Sequence, residues 1–140
     1  RLSMLNGDEL WEARVVAAFH AFSKCAARAP QSDADRITFE QRHAAFHAAL
    51  LAGSGSPSLL HLAEQLYVQS ERYRRPHLMA EGTGRRAGRD VVAEHAILRD
   101  AALARDADAG TALLAAHYEN TGTFIEEALG ARLRLVEAGA

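Results

Sequence analysis

The stretch His43-Ala44-Ala45-Phe46-His47-Ala48-Ala49-Leu50-Leu51-Ala52-Gly53-Ser54-Gly55-Ser56-Pro57-Ser58-Leu59-Leu60 places two histidines four residues apart on a segment that reads as helix. Residues at i and i+4 stack on one helical face, so both imidazoles point the same way. Phe39, Phe46 and Leu50 share that face, which turns the histidines inward beside a core. The helix stops at Gly53-Ser54-Gly55, and the next opens with Ser56 as N-cap and Pro57 at its first position. Inward histidines need partners, and metal ligation is a common one.

Outward from this stretch the chain reads as helix in both directions. Residues 1–7 read as the tail of something upstream, ending in the turn Asn6-Gly7. Asp8 caps a helix over about 8–28, in which Leu10, Trp11, Val15, Ala18, Phe19 and Phe22 form one broad apolar stripe. His20 falls beside that stripe and reads as satisfied or half-exposed. Pro30 interrupts the chain, and Ser32 or Asp33 caps the helix that carries His43 and His47. A third helix from Pro57 to about Arg74 has Leu59, Leu60, Leu62, Leu66 and Tyr67 as its expected buried side, and a cationic end at Arg72, Arg74 and Arg75 that suits the helix dipole. Pro76 and the segment Glu81-Gly82-Thr83-Gly84-Arg85-Arg86-Ala87-Gly88 read as a mobile loop. No strand precedes those glycines, so they do not form a nucleotide-binding loop. Asp90 caps a fourth helix holding Val91, Val92, His95, Ile97 and Leu98. Asp106 caps the last, with Leu113, Leu114, His117, Phe124, Ile125, Leu129 and Leu133, where Gly110, Gly122 and Gly130 soften it or admit a close neighbour. The expected fold is all-α, an antiparallel bundle of about five to six helices forming a single domain over residues 1–140.

Composition agrees. Apolar residues make up 49% and charged residues 24% of the 140, which is the balance of a globular domain with a real core. Many alanines and only three prolines favour helix. A formal charge of −2 gives no basic field for nucleic acid in this chain. Cys25 is alone, so no internal disulfide forms; it reads as a small buried hydrophobe in a reducing compartment. No apolar run approaches the roughly 20 residues a bilayer requires. We therefore expect a cytoplasmic protein with no membrane partner. Arg1 opens the chain without an initiator methionine, which reads as a fragment lacking its N-terminal part.

Four histidines lie on the expected buried faces: His43, His47, His95 and His117, on three helices and separated by 4, 48 and 22 residues. Bundles build metal sites from side chains facing inward on neighbouring helices, and neutral imidazole suits zinc, nickel, copper or iron(II). His61 and His77 lack such partners and read as surface residues.

The order of these pieces resembles a known family. Phe46-His47, then Ala52 through Leu60, then Arg72-Tyr73-Arg74-Arg75, Glu94-His95-Ala96-Ile97, Arg105-Asp106-Ala107-Asp108 and Ala116-His117 resemble the FCD domain, the effector-binding C-terminal domain of FadR-type regulators in the GntR family. The match covers roughly residues 8–129, and Gly7-Asp8-Glu9-Leu10-Trp11-Glu12-Ala13-Arg14 looks like the start of that domain's second helix. The resemblance implies a winged helix-turn-helix absent from this chain, a homodimer, and operator DNA bound through the absent part. It also implies a divalent metal, zinc or nickel, held by an aspartate and three histidines. The histidines map onto His47, His95 and His117, and the aspartate onto His43, where this sequence departs from the pattern. Such a metal anchors a small carboxylate effector without a reaction following.

An arginine beside the metal would complement a carboxylate bidentately. Arg72, Arg74 and Arg75 are candidates, with Arg72 favoured by its spacing from Leu62 and Leu66. Tyr73 or Tyr67 could add a hydroxyl, although packing suits them, and Asn120 lies one turn beyond His117. Glu94 points away from His95 and reads as a supporting group. Two competing readings stand beside the sensor: a metalloenzyme using the same histidines, and a metal-free helical dimerisation module, with or without a larger acyl ligand. The enzyme reading lacks an evident general base, since Glu40 stands seven residues before His47 and Glu94 points away.

Overall fold

In the computed structural model, six helices follow in order among the described residues: α1 (Leu2–Asn6), α2 (Glu9–Ala26), α3 (Asp33–Ala52), α4 (Pro57–Ala80), α5 (Val91–Leu103) and α6 (Ala107–Ala138). The backbone is described for residues 1–28, 30–80, 85–86 and 89–138, and side chains for these except 75–80, 85, 86, 89, 128, 131–133 and 135–138. The expected loop at 81–84 and 87–88, and the side chains of Arg75, His77 and Leu133, lie outside the described residues. Between them, β1 (Arg85–Arg86) pairs antiparallel with β2 (Arg89–Asp90). The all-α bundle expected from the helical periodicities is present.

The starts of α2, α3, α5 and α6 are set by side-chain caps. Asp8 accepts from the Trp11 amide at 2.7 Å, Ser32 from Asp35 at 3.2 Å, Asp90 from Ala93 at 3.0 Å and Asp106 from Ala109 at 3.0 Å. Each satisfies an amide that the first helical turn leaves without a backbone partner.

Helices α2 and α3 form an antiparallel hairpin. The Trp11 indole at the start of α2 donates to the Ala49 carbonyl at the end of α3 (2.8 Å), while Phe22 near the end of α2 meets Phe39 near the start of α3 (centroids 5.7 Å apart). Helix α5 packs on α2 and α6, and α4 on α3 and α6. Trp11, Val15, Phe19, Phe22, Phe46, Leu50, Val91, Leu98 and Ala102 make the buried core. Each large side chain removed from water there contributes roughly 1.5–3 kcal/mol. Leu10, expected in the stripe of α2, is instead exposed, one position off the packed face. Cys25, expected buried, is half-buried, and burial raises its thiol pKa.

Residues 1–7 are not a simple tail. Helix α1 packs on α3, and the buried Ser3 hydroxyl donates to the Leu51 carbonyl at 2.7 Å. It joins the Ser54 amide (3.0 Å) on that carbonyl, while the Trp11 indole takes the Ala49 carbonyl one turn from the close of α3. The approach is close enough that a Cβ at Gly53 would lie 2.9 Å from the Ser3 carbonyl oxygen. Arg105, with a left-handed φ of 58°, closes the other side. Its guanidinium lies 4.9 Å above the Trp11 ring and donates to Glu12 (2.8 Å) and to the Gly7 carbonyl (2.6 Å).

Helix α4 differs most from its sequence reading. It runs through Pro76 to Ala80, because a proline removes one donor and crowds one turn without forcing an end. Its inward line is Leu60, Ala63, Tyr67, Ser70 and Arg74, whereas Leu59, Leu62 and Leu66 are 50–57% exposed. The leucine stripe is rotated by one residue, about 100°, from the face that packs. Tyr67 and Arg74 face inward because polar partners await them on α3.

Candidate metal centre

On α3, Glu40, His43 and His47 recur at steps of three and four and are all buried. His95 on α5 is fully buried and His117 on α6 is 8% exposed. One ring nitrogen from each of the four histidines lies within 4.8 Å of the others, so the structure brings together all four residues picked out in the sequence. Phe22, Phe39 and Phe46 wall the cluster, with Phe22 4.7 Å from the His95 ring and Phe39 stacked on His43 at 6.0 Å.

Three of these nitrogens nearly touch. The Nε2 atoms of His43 and His95 are 2.8 Å apart, those of His43 and His47 3.1 Å, and those of His47 and His95 3.2 Å. His95 Nδ1 lies 2.6 Å from the Val91 carbonyl oxygen, which can only accept. The proton therefore sits on Nδ1, and Nε2 presents a lone pair. One in-plane lone pair takes one good N–H donor, so three mutual contacts cannot all be hydrogen bonds. A cation at their focus satisfies every lone pair at once. In a tetrahedral zinc site with bonds of about 2.0–2.1 Å, ligand nitrogens stand roughly 3.3–3.4 Å apart, a few tenths wider than here. The donor set fits a divalent metal.

Outer contacts orient three of the rings. His95 is tied to Val91; His117 Nδ1 lies 3.3 Å from the Glu94 carboxylate; His43 Nδ1 lies 2.9 Å from the Tyr67 hydroxyl. Glu94 is thus the supporting group expected from its angle to His95. His47 Nδ1 is buried with no hydrogen-bond partner among the described residues.

Of the two candidate arginines whose side chains are described, Arg72 and Arg74, Arg74 is buried. It donates to the Tyr67 hydroxyl (3.2 Å) and to Glu40 (3.4 Å), and lies 4.0 Å over the Tyr67 ring. Arg72 and Tyr73 are exposed and face each other, the guanidinium 5.9 Å from the ring centroid, and Asn120 is exposed on α6. None of these three has a described contact with the histidines. In the sequence Glu40 stands out only as a general base too far from His47, and Tyr67 as a packing residue that could add a hydroxyl. The signal that would have found them is spacing: Glu40 shares the face of His43 and His47, and Tyr67 and Arg74 stand two turns apart on α4.

Burial drives the His43 and His47 pKa values well down, and the neighbouring histidines and Arg74 push further the same way. Both rings are therefore neutral near pH 7, the form that binds metal. Burial also lifts the Tyr67 hydroxyl to about 12, against the opposing pull of Arg74, so it stays protonated. A sign follows for the metal-free protein. Below about pH 6.5 the unfolded chain takes up protons on these two histidines that the folded state refuses. Stability is full above that pH and falls as pH drops, with a slope approaching about 1.4 kcal/mol per unit for each histidine. Urea melts between pH 7.5 and 5 in the presence of a chelator check this; a flat or rising profile contradicts the buried neutral state.

No described helix is long and apolar enough to cross a membrane. A sequence model of the FCD domain matches residues 1–120. The uncharacterized HTH-type transcriptional regulator BphR of Paraburkholderia xenovorans (strain LB400) is 39% identical over 128 residues, which is 91% of this chain and 51% of that protein. The HTH-type transcriptional repressor GlaR of Escherichia coli (strain K12) is 33% identical over 128 residues, 91% of this chain and 58% of the relative. The chain thus spans a little over half the length of these curated relatives. No solved structure matches it significantly. Both relatives carry the names of HTH-type transcriptional regulators. With the FCD match covering most of its length, the chain belongs to the FCD domain family.

Proposed function

We propose that this domain is the effector-binding part of a cytoplasmic, homodimeric DNA-binding regulator, and that it senses a small carboxylate through a divalent metal, zinc or nickel, held by His43, His47, His95 and His117. The observation that carries this reading is the convergence of three Nε2 atoms within 3.2 Å of one another. A bound divalent ion supplies a charge anchor with open coordination positions. The chain's own residues supply orientation and exclude water: Val91, Glu94 and Tyr67 hold three rings from behind, and Phe22, Phe39 and Phe46 wall them.

Charge supports the class of ligand. Four neutral imidazoles bring no charge, Arg74 offsets Glu40, and Glu94 contributes one negative charge. A divalent ion in this buried place keeps an excess positive charge, which an anionic ligand relieves. Arg72, Tyr73 and Asn120, all exposed, are proposed contacts for the outer part of the effector. The half-exposed Leu59, Leu62 and Leu66 on α4 give apolar surface that a second copy would cover. Effector binding would bias two arrangements of the bundle and respace DNA-binding domains, carried by the longer protein, on paired operator half-sites.

Elemental analysis by plasma mass spectrometry, beside His47→Ala, tests the anchor. The expected result is about one metal per chain, lost in the variant, followed by thermal shifts with hydroxy acids or dicarboxylates on the loaded protein. No metal after reconstitution with zinc and nickel overturns the anchor. Metal without any carboxylate response overturns the effector class.

A further inference from the structure

A histidine ligand, unlike a carboxylate, must present the correct nitrogen, and a hydrogen bond to its other ring nitrogen selects that tautomer. His95 has the Val91 carbonyl and His117 the Glu94 carboxylate, both plain acceptors. His43 has neither. Its Nδ1 faces the hydroxyl of Tyr67, which projects from α4, a helix that packs on α3 and contributes no histidine to the cluster.

That hydroxyl is itself held in place. The Arg74 guanidinium lies 4.0 Å over the Tyr67 ring and donates from Nη1 to the phenol oxygen at 3.2 Å and from Nη2 to the Tyr67 carbonyl at 3.2 Å. Its Nε donates to Ser70 Oγ at 3.2 Å, and its Nη1 faces Glu40 at 3.4 Å, one turn before His43 on α3. Both members of the Arg74–Glu40 pair are about nine-tenths buried. A phenol oxygen carries two lone pairs and so can accept from Arg74 and from His43 together.

We propose that Tyr67, locked by the buried Arg74–Glu40 pair, is a positioning residue that makes His43 a metal ligand: its oxygen accepts the Nδ1–H of His43 and leaves the Nε2 lone pair aimed at the histidine cluster. The inference rests on the metal reading above. It gives α4 a part in the centre without supplying a ligand, and it makes the seat of the metal depend on the packing of α4 against α3.

Zinc affinity, measured by competition with a chromophoric chelator, tests it in the wild type, Tyr67→Phe, His43→Ala and the double variant. Tyr67→Phe deletes one oxygen and keeps the ring, and circular dichroism checks that each variant folds. The expected result is a 10–100-fold loss of zinc affinity in Tyr67→Phe and no further loss when the same change is made on His43→Ala. Wild-type affinity in Tyr67→Phe, or an equal loss on the His43→Ala background, overturns the positioning role while leaving the metal reading intact. Absence of zinc binding in the wild type overturns both.

Discussion

Stripping metal from the wild-type domain with a chelator is expected to lower its melting temperature by roughly 10–15 °C, and His95→Ala is expected to melt at one temperature with or without the chelator. A ligand that binds only the folded state stabilises by about 2.7 kcal/mol at 100 times its Kd and about 4.1 kcal/mol at 1,000 times. For a domain of this size each kcal/mol moves the midpoint by roughly 3–5 °C. His95 is the discriminating position because it is fully buried and its Nε2 lies within 3.2 Å of both His43 Nε2 and His47 Nε2. Without a cation those contacts leave lone pairs facing one another in an apolar box, so the metal-free state carries a penalty that the bound state removes. Scanning calorimetry with zinc, with nickel and with chelator reads the difference. Equal melting of the wild type in all three would show that the cluster does not depend on metal.

The second large effect is in the core behind the cluster. Phe22→Ala is expected to destabilise the metal-free domain by about 3–5 kcal/mol, the usual range for a buried phenylalanine. Phe22 is 0% exposed and its ring meets Phe19, Phe39, Phe46, His43 and His95 at centroid distances between 4.7 and 6.4 Å. It therefore joins α2 to α3 and α5 at the level of the histidines. Neighbours drawn from three helices cannot all collapse into the space it leaves. Zinc affinity should fall with stability, since His43 and His95 each lose one wall. Ile97→Ala is the control: 51% exposed on α5, it is expected to change stability by no more than about 0.5 kcal/mol. Urea unfolding of both variants gives the comparison, and a similar cost at the two positions would contradict the assignment of core and surface.

Much of this was legible without coordinates, for identifiable reasons. Asp8, Ser32, Asp90 and Asp106 stand before their helices with a side-chain oxygen in reach of a free amide, a local arrangement that needs no tertiary contact. His43 and His47 at i and i+4 share a face by helical geometry alone. The ordered series of short motifs from Phe46 to His117 resembled the FCD domain before any contact was known. Three-and-four spacing also marked Trp11, Val15, Phe19 and Phe22 as one stripe.

Other features depend on which face of a helix meets a partner, and periodicity cannot decide between adjacent stripes. On α4 the residues 59, 62 and 66 and the residues 60, 63 and 67 both recur at helical spacing, one position apart. Leu59, Leu60, Leu62, Leu66 and Tyr67 read together as core, yet only the stripe of Leu60 and Tyr67 packs, because Tyr67 finds His43 and Arg74 finds Glu40. A buried arginine and tyrosine are favourable only when their partners are already in place on another helix. The packing of α1 against the end of α3 is likewise invisible in a five-residue helix, because its anchor, the Ser3 hydroxyl, donates to the Leu51 carbonyl 48 positions along the chain. Sequence alone determined the helical class, the helix starts and the four histidines, because each is a matter of local spacing. Only the tertiary structure decided that their ring nitrogens converge, and that Glu94 and Tyr67 stand behind them, because those contacts join residues 23 and 24 positions apart on different helices.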